Sequence, residues 1–184
     1  MHDLLRPVPP IYRGLWERTR LERGSAGTLT SDRPARVFWL QTPIWHADLR
    51  VPLARPDFGG VTGVEACSDD QLAFLAGQEG FCGVTRIDGR VTTWLRVVDL
   101  SPGTALDIGR MRFETDDLLV ETGIAEDYLE DWTRVEGSAP ERGVPPLGCD
   151  ASGCVLLTSG GWRIRIGPRP RAPEGFDAYC PAEE

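Results

Sequence analysis

Hydrophobic and polar residues alternate in short runs along most of this chain, and turn-forming residues separate the runs. The alternation is clearest in residues 81–136, where it predicts five consecutive strands at 81–87, 90–98, 107–114, 118–123 and 127–136. Asp88-Gly89 joins the first two, and Asp-Gly between two alternating runs is a strong hairpin signal. A series of up-and-down strands predicts an antiparallel sheet that encloses an interior.

Five further strands are predicted outside this stretch, at 11–21, 36–42, 45–51, 155–158 and 162–166. One short helix is predicted over 69–76, because Ser68 and Gln71 have capping-box spacing and Gly77 follows. Ten strands in an open sheet would expose edges that invite aggregation, and closure removes those edges. The sequence therefore predicts an all-β fold: a single antiparallel up-and-down β-barrel of about 8–10 strands, calycin- or lipocalin-like, with one short helix. A two-sheet sandwich is the alternative.

The positions at which proline and glycine cluster predict one domain with two extensions. Residues 1–10 form a proline-rich lead-in, residues 11–167 the barrel domain, and residues 168–184 an irregular, proline-rich tail. Long polar loops are expected at 22–34, 52–63 and 136–153 because proline and glycine cluster there. A chain of 184 residues is long enough to bury a core without disulfides or metals.

The net charge of −8 comes from one segment. Residues 114–136 hold nine acidic residues and one arginine, whereas the remainder holds 19 acidic and 19 basic residues. Binding to nucleic acid or to an anionic membrane is therefore disfavoured. A solvated surface is the simplest interpretation of the acidic segment, and a site for a cation or a basic partner is the alternative. Since neither a signal peptide nor an apolar run of about 20 residues is present, we expect a cytoplasmic protein.

Neither a metal site nor a cofactor is expected. The five cysteines are odd in number and irregularly spaced, which is untypical of a disulfide framework, and Cys149 and Cys154 are expected to be reduced. Only two histidines occur, with no C-x-x-C pair. The sequence also lacks the nucleophile elbow, the P-loop and the dinucleotide-binding fingerprint, so no catalytic residue is assigned.

Alternation gathers aromatic and charged residues on particular strand faces. If those faces point inward, the barrel holds a pocket with aromatic walls and a few charges, which is typical of small-ligand sites. The predicted ligand-binding residues are Asp48, Arg50, Trp94, Arg96, Glu121, Glu130, Trp132 and Arg134. Buried charges need partners, so we expect three ion pairs: Asp48–Arg50, Glu130–Arg134 and Glu121–Arg96. The other interpretation places these residues in salt bridges on the outside of the sheet.

The remaining tryptophans and the inner histidine are assigned to structure. Trp16, Trp39 and Trp45 are predicted to pack in the core. Trp94 and Trp132 have charged neighbours, and for them core packing and ligand binding are equally supported. His46 shares a strand face with Asp48 and Arg50 and is predicted to be a structural, hydrogen-bonded histidine.

Several short motifs within residues 36–136 have an order and a rough spacing that match those of a known family. They are Asp48-Leu49-Arg50, Trp94 followed by Asp99, Asp107-Ile108-Gly109-Arg110-Met111, Glu121-Thr122-Gly123 and Tyr128-Leu129-Glu130-Asp131-Trp132. Together they resemble a little-characterised calycin-like family, first named for a budding-yeast protein that interacts with a casein kinase. Separately, Gly14-Leu15-Trp16 with Arg163 or Arg165 is similar to the Gly-x-Trp and Arg pairing of lipocalins.

This resemblance implies a lipocalin-like barrel and no assigned activity. The segment before Tyr128 is shorter here than in the family, and the yeast member carries a second barrel for which this chain is too short. A kinase partner is therefore not carried over.

Three functions are compatible with these observations. The first is a barrel that binds a small hydrophobic or amphipathic ligand without chemistry. The second is a barrel enzyme of the isomerase or cyclase type that uses an inward carboxylate of Asp48, Glu121 or Glu130, because a barrel interior shifts carboxylate pKa values. The third is an interaction module that meets an unknown protein partner through its acidic surface or its proline-rich tail.

Overall fold

Eight strands close into an antiparallel barrel in which each strand pairs with the next along the chain and the last pairs with the first. The computed structural model describes residues 6–24, 35–140, 147–149 and 154–167. The barrel strands are β1 (Gly14–Arg23), β2 (Ala35–Gln41), β3 (Trp45–Pro52), β4 (Glu79–Asp88), β5 (Val91–Asp99), β6 (Ile108–Thr115), β7 (Leu118–Gly123) and β8 (Tyr128–Arg134). The predicted up-and-down barrel is confirmed, and the sandwich alternative is wrong.

A separate three-stranded sheet covers part of the outer face of the barrel. It consists of β9 (Leu147–Cys149), β10 (Val155–Ser159) and β11 (Trp162–Ile166), with β10 in the middle. Leu157 of β10 is fully buried and packs with Leu40 and Ala47 of the barrel. The predicted last hairpin is confirmed, whereas β9 corrects the prediction of one continuous loop over 136–153. The side chain of Cys149 and the tail lie outside the described residues, so the predictions for both stay predictions.

The predicted helix is present as α1 (Asp69–Ala76), and its bounds are those expected. Its capping box is complete, because Ser68 Oγ accepts from the Gln71 backbone N–H and the Gln71 side chain accepts from the Ser68 N–H. The helix packs on the preceding loop through Phe74, whose ring lies 5.8 Å from that of Phe58.

The start of the chain closes one end of the barrel, here called the closed end. Residues 10–12 form one turn of 3-10 helix, which corrects the prediction that a strand begins at residue 11. The turn carries Tyr12 into the barrel, where its carbonyl accepts a 2.8 Å hydrogen bond from Trp16 Nε1. Val8 of the expected lead-in is buried in the same cluster. The barrel core is therefore packed at this end, and the opposite end is here called the open end.

Candidate functional site

A cavity of about 310 Å³ lies at the open end of the barrel, near the place where Arg23 of β1 pairs with Tyr128 of β8. Its lining combines aromatic side chains, five carboxyl groups and four arginines. These are Trp39, Phe81, Trp94, Tyr128 and Trp132; Asp48, Asp107, Glu121, Glu126 and Glu130; and Arg18, Arg23, Arg50 and Arg96. The loop residues Gly103, Ala105, Leu106 and Ala125, with Ile108, complete it.

A second cavity, of about 460 Å³, lies between the N-terminal segment and the turn that joins β4 to β5. No aromatic side chain lines it, and its Arg13 donates two hydrogen bonds to the Val8 carbonyl. The cavity at the open end is the candidate site, because apolar walls and convergent polar groups meet there.

Three tryptophans form the apolar floor of this cavity. The rings of Trp94 and Trp132 meet the ring of Trp39 edge to face, at centroid distances of 5.7 and 6.0 Å. All three side chains are buried, and edge-to-face packing of this kind fixes their positions. The Trp39 indole N–H is also buried and meets no acceptor among the described residues. The floor therefore offers a rigid apolar surface to anything in the cavity.

Glu121 of β7 is the most deeply buried carboxyl group at the floor, with 4% of its surface exposed. Its Oε1 accepts a 2.6 Å hydrogen bond from the Tyr128 hydroxyl, and its Oε2 accepts a 3.0 Å bond from Trp132 Nε1. Both donors are neutral. Burial raises the pKa of Glu121 to about 8, and the nearby Glu130 carboxylate adds to the rise. Glu121 therefore holds its proton at neutral pH.

Two glycines make room for this arrangement. Gly109 and Gly123 pair directly across β6 and β7. A Cβ at Gly109 would lie 2.7 Å from Glu121 Oε1, and a Cβ at Gly123 would lie 2.5 Å from the Tyr128 ring. Real Cβ atoms do not approach other atoms this closely, so these two positions require glycine to keep the carboxyl group and the phenol in place.

Glu130 of β8 stands directly opposite Glu121 in the β7–β8 register. Its partner is Arg18, whose Nη1 lies 2.6 Å from Glu130 Oε1, and both side chains are about nine-tenths buried. Burial raises the pKa of Glu130, and Arg18 offsets part of the rise. The two facing carboxyl groups thus have different surroundings: one has a cation, and the other has neutral donors only.

Asp48 of β3 is paired with Arg50, at 3.1 Å between Oδ1 and Nε. Arg50 also reaches Glu79 at 2.9 Å and lies over the Phe81 ring. Burial raises the pKa of Asp48 to about 6, although Arg50 acts in the opposite direction. Asp48 therefore titrates close to neutral pH while it lines the cavity.

Arg96 of β5 lies 3.7 Å over the ring of Phe81. Its guanidinium pairs with Asp99 at 2.8 Å and with Asp107 at 2.7 Å. The side chain is about one-third exposed, so this group forms the rim of the cavity rather than its floor.

The structure places seven of the eight predicted site residues on this cavity, and Arg134 is elsewhere. Arg134 pairs with Trp16 in the β1–β8 register at the closed end, where its guanidinium lies 4.2 Å over the Trp16 ring. The reason is strand direction, since β8 runs from Tyr128 at the open end to Arg134 at the closed end. Arg134 is thus not a residue of this site.

One of the three expected ion pairs is confirmed and two are wrong. Asp48 does pair with Arg50. Glu130 pairs with Arg18 instead of Arg134, and Glu121 has Tyr128 and Trp132 instead of Arg96. Glu130 and Arg134 are four residues apart on β8, whereas Glu121 of β7 and Arg96 of β5 lie on strands that β6 separates.

The expected lipocalin-like pairing is wrong in its second member. Arg163 and Arg165 lie on β11 in the outer sheet, and Arg134 covers Trp16 in their place. Gly14 has φ +136°, and a Cβ there would lie 2.7 Å from Arg134 Nη1. The glycine therefore allows the arginine to reach the tryptophan.

Several lining residues were missed by the sequence prediction. Arg18, Trp39 and Tyr128 lie on the same inward faces that alternation identifies, so the signal for them was present. The loop residues Gly103, Ala105 and Leu106 carry no pattern that places them at the cavity.

His46 points into the barrel but does not line the cavity, as expected of a structural histidine. Thr85 Oγ1 donates a 2.6 Å hydrogen bond to Gln41 Oε1, so His46 Nδ1, 3.0 Å from Thr85 Oγ1, is the donor in their bond. His46 Nε2 is then the unprotonated nitrogen, and it has no partner among the described atoms. Burial lowers the pKa of His46 to about 3, with a further contribution from Arg96, so the ring is neutral.

Within the described residues, no group of three His, Cys, Asp or Glu side chains is arranged to hold a metal ion. No helix in that part of the chain is both long and apolar enough to cross a membrane. Comparison of the chain with protein-family models, with curated proteins and with solved structures gives no match.

Proposed function

We propose that this protein binds a small, partly apolar ligand in the cavity at the open end of its barrel. The observation that carries the proposal is the floor of Trp39, Trp94 and Trp132 beside the buried carboxyl group of Glu121. Small-molecule sites combine mostly apolar and aromatic walls with a few placed polar groups. A cavity of about 310 Å³ is at the lower end of the usual range for such sites, so the ligand is small.

The proposal includes membership of the calycin-like family whose strings the sequence resembles. Those strings have a physical role in this fold: Asp107-Ile108-Gly109 and Glu121-Thr122-Gly123 contain the two glycines that accommodate Glu121 and Tyr128. A family built on this arrangement would share the cavity floor as well as the barrel.

Native mass spectrometry of the purified protein tests the proposal. We expect the wild-type protein to carry, or to take up from a cell extract, a bound small molecule. Ala125→Trp places an indole at the cavity lining and should reduce the bound fraction at least tenfold. Ala76→Trp, at the exposed end of α1, is the matched control and should bind as the wild type does. Equal binding by the two variants would place the ligand outside the cavity.

A proton-transfer enzyme of the isomerase or cyclase type is the second candidate. The observation that favours it is that carboxyl groups with different proton affinities line one cavity: Glu121 is protonated at neutral pH, whereas Asp48 titrates near pH 6. Sites that perform acid and base chemistry separate the pKa values of their groups in this way. In such a reaction, Asp48 would take a proton from a carbon next to a carbonyl group and return it to the same or another carbon.

Deuterium exchange tests this second candidate. In D₂O near pD 7, an active protein should speed the exchange of deuterium into the methyl group of acetophenone, and Asp48→Asn should abolish the acceleration. Proton NMR follows the loss of the methyl signal. A rate equal to that of buffer alone would leave the protein as a binding protein.

A further inference from the structure

The two carboxyl groups that face each other across β7 and β8 do not have equal access to a cation. Glu130 has Arg18 at 2.6 Å, whereas the hydrogen-bond partners of Glu121 are the Tyr128 hydroxyl and the Trp132 indole. Two directly opposed carboxylates repel each other, and a buried charge without a counter-ion is costly. The proton therefore resides on Glu121, and its raised pKa supports this assignment.

Protonation of Glu121 leaves one hydrogen without an acceptor. The Glu121–Tyr128 pair then has two O–H groups, and the 2.6 Å bond between Tyr128 Oη and Glu121 Oε1 uses one of them. Among the described residues, neither group has another acceptor. Tyr128 is only partly buried, so this second O–H is open to an acceptor in the cavity that both residues line.

We propose that the Glu121–Tyr128 pair donates this hydrogen bond to a carbonyl or similar neutral oxygen atom of the ligand. The apolar part of the ligand lies on the floor of Trp39, Trp94 and Trp132. This inference rests on the proposed function, because it names the chemical class that the same cavity accepts.

The charges around the cavity favour a neutral ligand over an ion. An anion would have to compete with carboxylates for three of the four lining arginines, since Arg18, Arg50 and Arg96 each form an ion pair and the fourth, Arg23, is exposed. A cation at the floor of the cavity would gain most from an ionised Glu121, so its binding there requires Glu121 to lose a proton first. A neutral oxygen atom can accept the hydrogen bond that the Glu121–Tyr128 pair offers.

Three probes with similar carbon skeletons separate these possibilities: acetophenone with a carbonyl group, isopropylbenzene without an acceptor, and 1-phenylethylamine with a positive charge. Each is titrated into the protein at pH 6 and at pH 9.5 by NMR, with the indole N–H signals of Trp94 and Trp132 locating the binding. At pH 6 acetophenone should bind roughly threefold to tenfold more tightly than isopropylbenzene, as expected for one hydrogen bond. At pH 9.5 Glu121 is ionised and accepts the Tyr128 hydrogen, so this preference should disappear.

Glu121→Gln is the matched variant. Glutamine keeps N–H donors at this position and does not ionise, so its preference for acetophenone should persist at pH 9.5. Its indole N–H spectrum reports whether the cavity keeps its structure.

The outcomes distinguish the inference from the function on which it rests. Equal binding of acetophenone and isopropylbenzene at pH 6, with shifts at Trp94 and Trp132, would overturn the inference and leave the proposed function intact. Tightest binding of 1-phenylethylamine would overturn it in favour of a cation site. Absence of binding by all three probes would contradict the proposed function and the inference together.

Discussion

The guanidinium carbon of Arg134 lies 4.2 Å from the centre of the Trp16 ring and covers it at the closed end of the barrel. Arg134 also pairs with Asp117 at 2.9 Å, and it donates to the carbonyl groups of Ile11 and Asp116 at 2.6 and 2.9 Å. One side chain thus joins β8, the β6–β7 turn and the N-terminal turn. Arg134 stabilises the closure of the barrel and lies away from the cavity.

Arg134→Met should lower the free energy of unfolding by about 2–4 kcal/mol, because it removes a cation–π contact and leaves backbone carbonyl groups without a charged donor. Arg112→Met on β6 is the control, since Arg112 is 56% exposed and pairs with Glu114 on the surface. The control should change the free energy by less than about 0.5 kcal/mol. Urea denaturation measures both, and equal losses would argue against the role of Arg134.

Gly109→Ala tests whether the glycine pair positions Glu121. The new Cβ would meet Glu121 Oε1 at 2.7 Å, so the carboxyl group must move from its bonds with Tyr128 and Trp132. We expect a loss of about 1–3 kcal/mol in the free energy of unfolding and a changed chemical shift of the Trp132 indole N–H. Gly161→Ala is the control, because a Cβ there has nothing within 4 Å. An unmoved Trp132 signal in Gly109→Ala would contradict the proposed positioning.

Glu121 should make the stability of the protein fall as pH rises from 6.5 to 8. Its pKa is about 8 in the folded protein and 4.5 when unperturbed, so the folded state binds the proton more tightly and loses that advantage on ionisation. Asp48 acts in the same direction only up to about pH 6. His46, with its lowered pKa, acts in the opposite direction only below about pH 6.5. Glu130, whose pKa is also raised by burial, acts in the same direction as Glu121, so the Glu121→Gln variant is needed to separate the two.

Urea denaturation from pH 6.5 to 8 should show that the free energy of unfolding of the wild-type protein falls by roughly 1–2 kcal/mol, since one pKa unit corresponds to about 1.4 kcal/mol. Glu121→Gln should remove the fall. Glu126→Gln, at an exposed position on the same cavity, should retain it. A wild-type protein whose stability is constant over this range would show that Glu121 is ionised throughout.

The buried chain of Gln41, Thr85 and His46 depends on the threonine hydroxyl. Thr85→Val keeps the shape but leaves Gln41 Oε1 and His46 Nδ1 without their partner, and we expect a loss of about 2–4 kcal/mol in the free energy of unfolding. Thr93→Val, on the partly exposed outer face of β5, is the control. Thermal denaturation of the two variants gives the comparison, and similar melting temperatures would mean that the chain contributes no stability.

Alternation predicted much of the barrel interior, because every second residue of a strand faces the same side. It correctly grouped Asp48 with Arg50 and Glu130 with Trp132. In β1 the pattern breaks at a bulge between Arg18 and Arg20, after which Leu21 and Arg23 face inward. A bulge inserts one extra residue and reverses the alternation beyond it, and the sequence carries no clear signal for its position.

Ion-pair partners were predicted less well than strand faces. The sequence indicates which side chains point inward, but the partner of Glu130 depends on barrel closure, which brings Arg18 of β1 next to β8. The position of a residue along the barrel axis affects its choice of ion-pair partner equally. Arg134 shares its face with Glu130, yet four residues of strand place it at the closed end, on Trp16. Local periodicity contains neither kind of information.

The most direct test of ligand binding at the open end uses the six tryptophans as internal reporters. Indole N–H signals are assigned by single substitutions and followed by NMR while the bound or best-binding small molecule is titrated. Trp39, Trp94 and Trp132 line the cavity, whereas Trp16, Trp45 and Trp162 do not. We expect saturable shifts of the first three signals, with the other three unchanged. Shifts confined to Trp16, Trp45 or Trp162 would contradict this expectation.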